Sequence, residues 1–330
     1  MEQVRLPGTD LQLSILGFGC ASLMGRIGRR ESLRILETAY DAGVTHFDVA
    51  RSYGFGEAEE VLGDLLSTKR DKVTVTTKFG ILPPRRSTGL DVAKAVARKL
   101  VTLNPRTRRV LRQRAAKLVT GGHFSVQDAK SSLERSLQEL RTDYVDILLL
   151  HDCSAEDLES DDLLEFLEVC VKEGKIRYFG TATDLNSTQQ ILQFHKSFTP
   201  IVQLANSVLN RNIDYLPPHP SSAVITHSAL GTGLKRLHKY VLSSARRTSK
   251  WSNAVGKDCS KLSVISGLML NYAVRANPPG VVLFSSQNER NILLNTASVS
   301  DSVFSGDQIE RFLDLVTQDL ELVQCMKLDT

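Results

Sequence analysis

The sequence predicts an α/β fold: a (β/α)8 TIM barrel with an N-terminal hairpin, a long basic insertion after the third strand and a C-terminal helix. Three observations lead there. From Ser14 onward, eight short β-like runs alternate with amphipathic stretches, the order that wraps helices around a parallel sheet. The length of 330 residues suits one barrel of roughly 250 residues carrying insertions. An open doubly wound sheet, the competing architecture, would carry a G-x-G-x-x-G turn after an early strand. Gly17-Phe18-Gly19-Cys20-Ala21-Ser22 breaks that pattern at its third glycine position.

The elements follow in order. Leu6-Pro7-Gly8-Thr9 reads as the turn of a small hairpin. Strands are expected over 15–19, 45–50, 73–78, 145–151, 176–181, 201–204, 223–226 and 281–284. Helices are expected over 31–42, 58–66, 126–140, 162–173, 185–195, 262–274 and 288–296. The sixth link, 210–220, is short and irregular, which predicts a loop rather than a helix. Apolar positions Ile309, Phe312, Leu313, Val316, Leu320 and Val323 recur at helical spacing, so 306–328 reads as a closing helix on the barrel. Residues 1–330 are thus expected to form a single barrel domain.

Composition is that of an ordinary globular protein, 42% apolar and 24% charged, and a chain of this size hides roughly three quarters of its unfolded surface. The net charge of +4 is too small to argue for a nucleic-acid partner. That charge is local. Between residues 81 and 122 stand eleven basic residues against Asp91 alone; without them the chain carries 30 basic and 36 acidic residues, a net −6. Two readings apply: a solvated excursion, or a segment over the third-strand end that attracts an anionic cofactor or substrate. The five cysteines, Cys20, Cys153, Cys170, Cys259 and Cys325, show no C-x-x-C or metal-binding spacing, so no metal site is expected and a reduced, cytoplasmic setting is. The first ten residues lack the apolar core of a signal peptide and no run of about 18 apolar residues exists, so no membrane partner is expected.

Four ionisable residues fall at the carboxyl ends of consecutive strands or just beyond: Asp48 after the second, Tyr53 in the following loop, Lys78 on the third and His151 on the fourth. In a barrel of this kind that end carries the active site. Cys153, two residues past His151, reads as a packed loop residue or a pocket residue; Arg51 as a surface residue or an anion contact.

These residues carry a resemblance. Ala42-Gly43-Val44-Thr45-His46-Phe47-Asp48-Val49-Ala50-Arg51-Ser52-Tyr53-Gly54, followed by Glu57, resembles the signature aGv..fDtA..YG.sE of the aldo-keto reductase family. Thr77-Lys78 matches its strand-three lysine, 131–151 resembles its block sL..SL..L.tdyvDl..lH, and Gly174-Lys175-Ile176-Arg177-Tyr178-Phe179-Gly180 resembles its GKiRyiG turn and strand. Only the basic insertion lies outside the likeness.

The resemblance implies hydride transfer between NADP or NAD and a carbonyl carbon of a small aldehyde, ketone or sugar. Charge then develops on oxygen, and an acid must donate a proton nearby. Tyr53 is implied as that acid, with Lys78 lowering its affinity for the proton, Asp48 keeping Lys78 charged, and His151 hydrogen-bonding the carbonyl oxygen. Cofactor contacts are implied at Thr183 and Gln203 for the carboxamide, at His227, Ser228 and Leu230 around the nicotinamide, and at Asn295 for the adenine. Three departures stand out. Ala182-Thr183 replaces the usual Ser-Asn pair, and His227 replaces an aromatic stacking residue. Ser285 and Asn291 stand where typical members place basic residues that grip the 2′-phosphate of NADP, with Arg290 one position away. Three functions follow: a reductase, an NAD-dependent sugar or alcohol dehydrogenase on the same site, or a non-catalytic cofactor-binding regulatory subunit.

Overall fold

The structure is a computed structural model that describes residues 1–25, 27–83, 121–217 and 222–325. Most of the basic insertion, and with it both readings of its role, lies outside the described residues.

Eight parallel strands close into a barrel: β3 (Leu16–Gly19), β4 (His46–Asp48), β5 (Thr74–Phe79), β6 (Val145–His151), β7 (Ile176–Ala182), β8 (Ile201–Ala205), β9 (Ala223–His227) and β10 (Val281–Phe284), which pairs back onto β3. Closure excludes the open doubly wound sheet. Before them, β1 (Gln3–Arg5) and β2 (Gln12–Ser14) form the expected antiparallel hairpin. Its Leu6, Leu11 and Leu13 are buried among the inward-facing Ile147, Leu149, Ile201, Ala223, Ile225 and Val281. The hairpin therefore plugs the amino-terminal end of the barrel with apolar side chains, and polar groups gather at the other end.

Alternation along each strand builds the second layer. Phe18, Phe47, Val75, Leu148, Leu150 and Val282 point outward and pack on Ile35 and Leu36 of α1 (Arg29–Asp41), Val61 and Leu62 of α2 (Ala58–Lys69), and Leu133 and Leu140 of α3 (Val126–Leu140). The ring continues with α4 (Asp161–Lys172) and α5 (Leu185–Phe194). Helix starts follow capping chemistry: Ser125 and Asp184 accept the backbone N–H groups of Asp128 and Ser187. Where β7 meets β8 there is no room for a side chain, since a Cβ on Gly180 would lie 1.9 Å from the carbonyl oxygen of Ile201.

The helical layer holds more than the sequence reading expected. Between β9 and β10 the chain forms α6 (Gly231–Val241), α7 (Ala245–Val255) and α8 (Leu262–Arg275), and only the last was anticipated. Both unforeseen helices are rich in lysine and arginine, with their apolar residues confined to one stripe. They join α8, α10 (Gly306–Gln318) and α11 (Leu320–Gln324) around Trp251, whose ring meets Tyr240 at 6.3 Å and Phe312 at 6.1 Å. The expected closing helix is thus two helices that break at Asp319, which accepts a hydrogen bond from the Trp251 indole. Between β10 and α10 lies α9 (Glu289–Ser300), with Asn288 as its cap. In the sixth link the described residues form a single bridge, Asn210 to Ser207, and a 3-10 turn, Asn212–Tyr215.

Candidate active site

Strand register brings the predicted residues to one level. Asp48 ends β4, Lys78 is the penultimate residue of β5, and His151 ends β6 opposite Ala182, which in turn faces Gln203. Tyr53 sits on a 3-10 turn, Tyr53–Phe55, folded over this end. That turn needs Gly54, whose φ is +60° and where a Cβ would come within 2.8 Å of the Met24 Cβ.

Lys78 is the centre of the arrangement and is 1% exposed. Its Nζ donates to Asp48 Oδ1 at 2.5 Å, to the Val49 carbonyl at 3.2 Å and to Tyr53 Oη at 3.4 Å. Gln203 Nε2 donates to the other Asp48 oxygen at 2.8 Å. The carboxylate therefore has partners on both oxygens. The Tyr53 and His151 rings lie 5.8 Å apart and nearly perpendicular. All these side chains except Lys78 line a cleft of about 540 Å³, with Lys78 buried behind its wall.

Burial opposes charge on Lys78, but Asp48, through its charge and hydrogen bond, together with Tyr53 more than offsets it, so the ammonium is held above its ordinary range. Burial raises the Tyr53 phenol, and Lys78 only partly opposes this. Lys78 acts in the expected direction, but desolvation outweighs it, so the net shift is upward and Tyr53 keeps its proton at neutral pH. Burial, then the Lys78 charge, push His151 down to about 3. His151 is a neutral hydrogen-bonding group and not a proton carrier near pH 7. Burial likewise lowers His227.

Of the other predicted positions, Thr183, Gln203, His227, Ser228, Leu230 and Ser285 line the cleft. Their hydrogen bonds limit what each can offer. Thr188 donates its hydroxyl to the Asp184 carbonyl, so at 2.7 Å it accepts from Thr183, which keeps lone pairs only. Gln203 donates one of its two amide N–H groups to Asp48 and keeps its oxygen as an acceptor. His227 Nδ1 pairs with Ser228 Oγ at 2.8 Å, and Ser285 Oγ with Ser22 Oγ at 2.7 Å. Two acceptors beside a half-buried imidazole fit a carboxamide that donates its N–H groups, so these residues suit the nicotinamide end of a dinucleotide. Arg290 and Asn291 are exposed on the first turn of α9 and do not line the cleft; Asn295 is buried on the same helix. Asp152 (φ +56°) and Ser228 (φ +65°), each directly after a cleft histidine, hold left-handed conformations uncommon outside glycine.

Two residues read ambiguously from sequence are resolved. Cys153 is buried in the outer core and absent from the cleft lining. Arg51 turns inward, its Nε 3.5 Å from Glu59 Oε2. Glu59 was not anticipated: it is buried, whereas Glu57, on which the signature was matched, is half-buried at the start of α2. The available signal was helical periodicity, which puts Glu59 on the same face of α2 as Leu62 and Leu66. Among the described residues no group of three His, Cys, Asp or Glu is placed to hold a metal ion, and no helix is long and apolar enough to cross a membrane.

A closed parallel barrel with this constellation at its carboxyl end defines a class, and sequence comparison agrees: the model of the aldo/keto reductase family matches residues 15–316. The chain belongs to that family. D-threo-aldose 1-dehydrogenase of a Pseudomonas species is 32% identical over 180 residues, 52% of this chain and 50% of that protein. L-galactose dehydrogenase of Arabidopsis thaliana is 25% identical over 91% of this chain and 89% of its own length. The first curated relatives matched are spanned over only about half their length. Among solved structures, an aldo/keto reductase from Klebsiella pneumoniae in complex with NADP and acetate superposes with a TM-score of 0.67, at 23% identity over 95% of this chain and 94% of that one, a likeness of fold.

Proposed function

We propose that the protein is an NAD(P)H-dependent reductase of a small aldehyde, ketone or sugar carbonyl, with Tyr53 as general acid. The observation that carries this is the position of the Lys78 ammonium, 2.5 Å from Asp48 and 3.4 Å from the Tyr53 hydroxyl at the edge of the cleft. A nicotinamide bound there supplies the hydride. As the carbonyl oxygen gains charge, Tyr53 gives it the phenolic proton, and the phenolate left behind faces Lys78. Asp48 keeps Lys78 charged and aimed. Neutral His151 donates a hydrogen bond that fixes the carbonyl oxygen. Thr183 and Gln203 accept from the carboxamide, His227 stacks, and Ser228, Leu230 and Ser285 complete the wall. Asn295, Arg290 and Asn291 on α9 are assigned to the adenosine end. All the groups come from one barrel, so residues 1–330 act as a single catalytic domain in this reading.

A second reading, oxidation of a sugar or other alcohol with NAD, is favoured by one specific observation. Ser285 and Asn291 supply no charge where the family grips a 2′-phosphate. Two of the relatives are named as sugar dehydrogenases. The intact contact set around Lys78 favours either enzyme over a regulatory subunit. Hydride transfer measured in both directions with NADH and NADPH, over a panel of aldehydes, ketones and sugars, tests the proposal. Turnover in the reducing direction supports it; tight cofactor binding without turnover on any substrate contradicts it.

A further inference from the structure

We propose that Glu59 is a positioning residue: its buried carboxylate ties the loop that carries Tyr53 to the strand that carries Lys78. This rests on the reading of Tyr53 as general acid.

The barrel wall separates two sets of contacts. Inside, Lys78 reaches Tyr53 and the Val49 carbonyl. Outside, the preceding residue on β5, Thr77, points the opposite way and donates its hydroxyl to Glu59 Oε1 at 2.6 Å. The second Glu59 oxygen faces Arg51 Nε at 3.5 Å, and Arg51 Nη1 donates to the Ser132 carbonyl of α3 at 3.3 Å. Arg51 lies two residues before Tyr53, and Glu59 six residues after it. The far end of the loop is thereby fastened to the strand beneath it through Glu59, and the near end, through Arg51, to Glu59 and to α3. Glu59 is 1% exposed, and neither Arg51 Nε nor Glu59 Oε2 has a hydrogen-bond partner within the described residues.

Stability alone gives little reason for this arrangement, because a buried ion pair rarely outperforms apolar residues of the same volume. What the contact does is fix a separation. The Tyr53 hydroxyl and the Lys78 ammonium stand 3.4 Å apart, where small displacements weaken both proton transfer and charge stabilisation. The groups facing Glu59 are Arg51 from the loop, Thr77 from β5, and Ser136 and Glu139 from α3. Burial pushes the carboxyl up to about 7, with Thr77, Ser136 and Arg51 opposing and Glu139 adding to the rise. The clamp therefore tightens as pH rises through neutrality and the carboxylate engages Arg51.

The test uses the full chain with Glu59→Gln, Thr77→Val and Thr77→Ser, each checked for folding by its melting temperature, with Tyr53→Phe alongside. Expected for Glu59→Gln and Thr77→Val is a fall in kcat of about 10- to 100-fold at nearly unchanged substrate KM and cofactor affinity. Thr77→Ser should retain wild-type kcat. The wild-type kcat should rise through about pH 7 and the Glu59→Gln profile should lack that rise. Folded Glu59→Gln and Thr77→Val proteins with wild-type kcat and pH profile would overturn the positioning role. So would losses that only track the folded fraction. Should Tyr53→Phe also retain turnover, the reading of the acid fails instead.

Discussion

Lys78→Met keeps most of the side-chain volume and removes the charge that faces Tyr53. At the observed 3.4 Å and an effective dielectric near 20, a full phenolate loses about 5 kcal/mol of attraction, and a half-developed one about 2.5 kcal/mol. The expected fall in kcat is then roughly 70-fold to a few thousand-fold. Asp48 would be left buried with Gln203 as its remaining side-chain partner, which costs about 3 kcal/mol or more in stability. The two effects separate in the double variant Asp48→Asn, Lys78→Met, where neither charge of this buried pair remains. Its melting temperature should recover while its kcat stays low. The assay is the single-turnover rate of hydride transfer at saturating cofactor and substrate, with cofactor affinity measured by fluorescence. A folded Lys78→Met enzyme within about threefold of the wild-type rate would refute the electrostatic reasoning.

Further outcomes follow from the same structure. Burial holds His46 down at about 4 and His151 at about 3, so below their ordinary 6.5 the unfolded chain takes up protons that the folded chain refuses, and stability present above pH 6.5 is lost on acidification. Glu59, raised from 4.5 to about 7, works in the opposite sense: its contribution is present at low pH and is lost as pH rises through 7. Near pH 5.5 these three groups leave about one net proton, so stability falls by about 1 kcal/mol per pH unit on acidification, and Glu59→Gln should make that fall steeper. Urea denaturation across pH 5 to 6.5 checks the sign; equal slopes in the two proteins would contradict it. Gly180→Ala forces its methyl group to 1.9 Å from the Ile201 carbonyl oxygen and should destabilise by about 3 kcal/mol; unchanged urea stability would show that β7 and β8 are not packed this way. Ser285→Lys should tighten NADPH binding about tenfold and leave NADH unchanged. Equal affinities before and after would remove Ser285 from the phosphate end.

What was legible in the sequence was what strand order and residue type expose together. Asp48, Lys78 and His151 stand at strand ends, and a barrel delivers strand ends to one face whatever lies between them. The hairpin was legible because its turn has distinctive local chemistry at Pro7 and Gly8, but its role in plugging the barrel end was not. The Gln203 bond to Asp48 was not, since it joins residues 155 positions apart and depends on barrel closure. Nor was the bond from Thr77 to Glu59, which lies on the outer face of a strand whose inner face drew attention through Lys78. The helices α6 and α7 were missed because Lys235, Arg236, Arg246 and Arg247 dominate segments whose apolar stripe is narrow. The sign of the Tyr53 shift depends on how deeply the turn 53–55 is buried, a quantity that spacing along the chain does not contain.

The central claim is that Tyr53 supplies the proton. Tyr53→Phe keeps the ring against His151 and removes one oxygen. Single-turnover hydride transfer in this variant should fall by about three orders of magnitude or more while nicotinamide affinity stays within about twofold of wild type. Transfer at the wild-type rate would contradict the account.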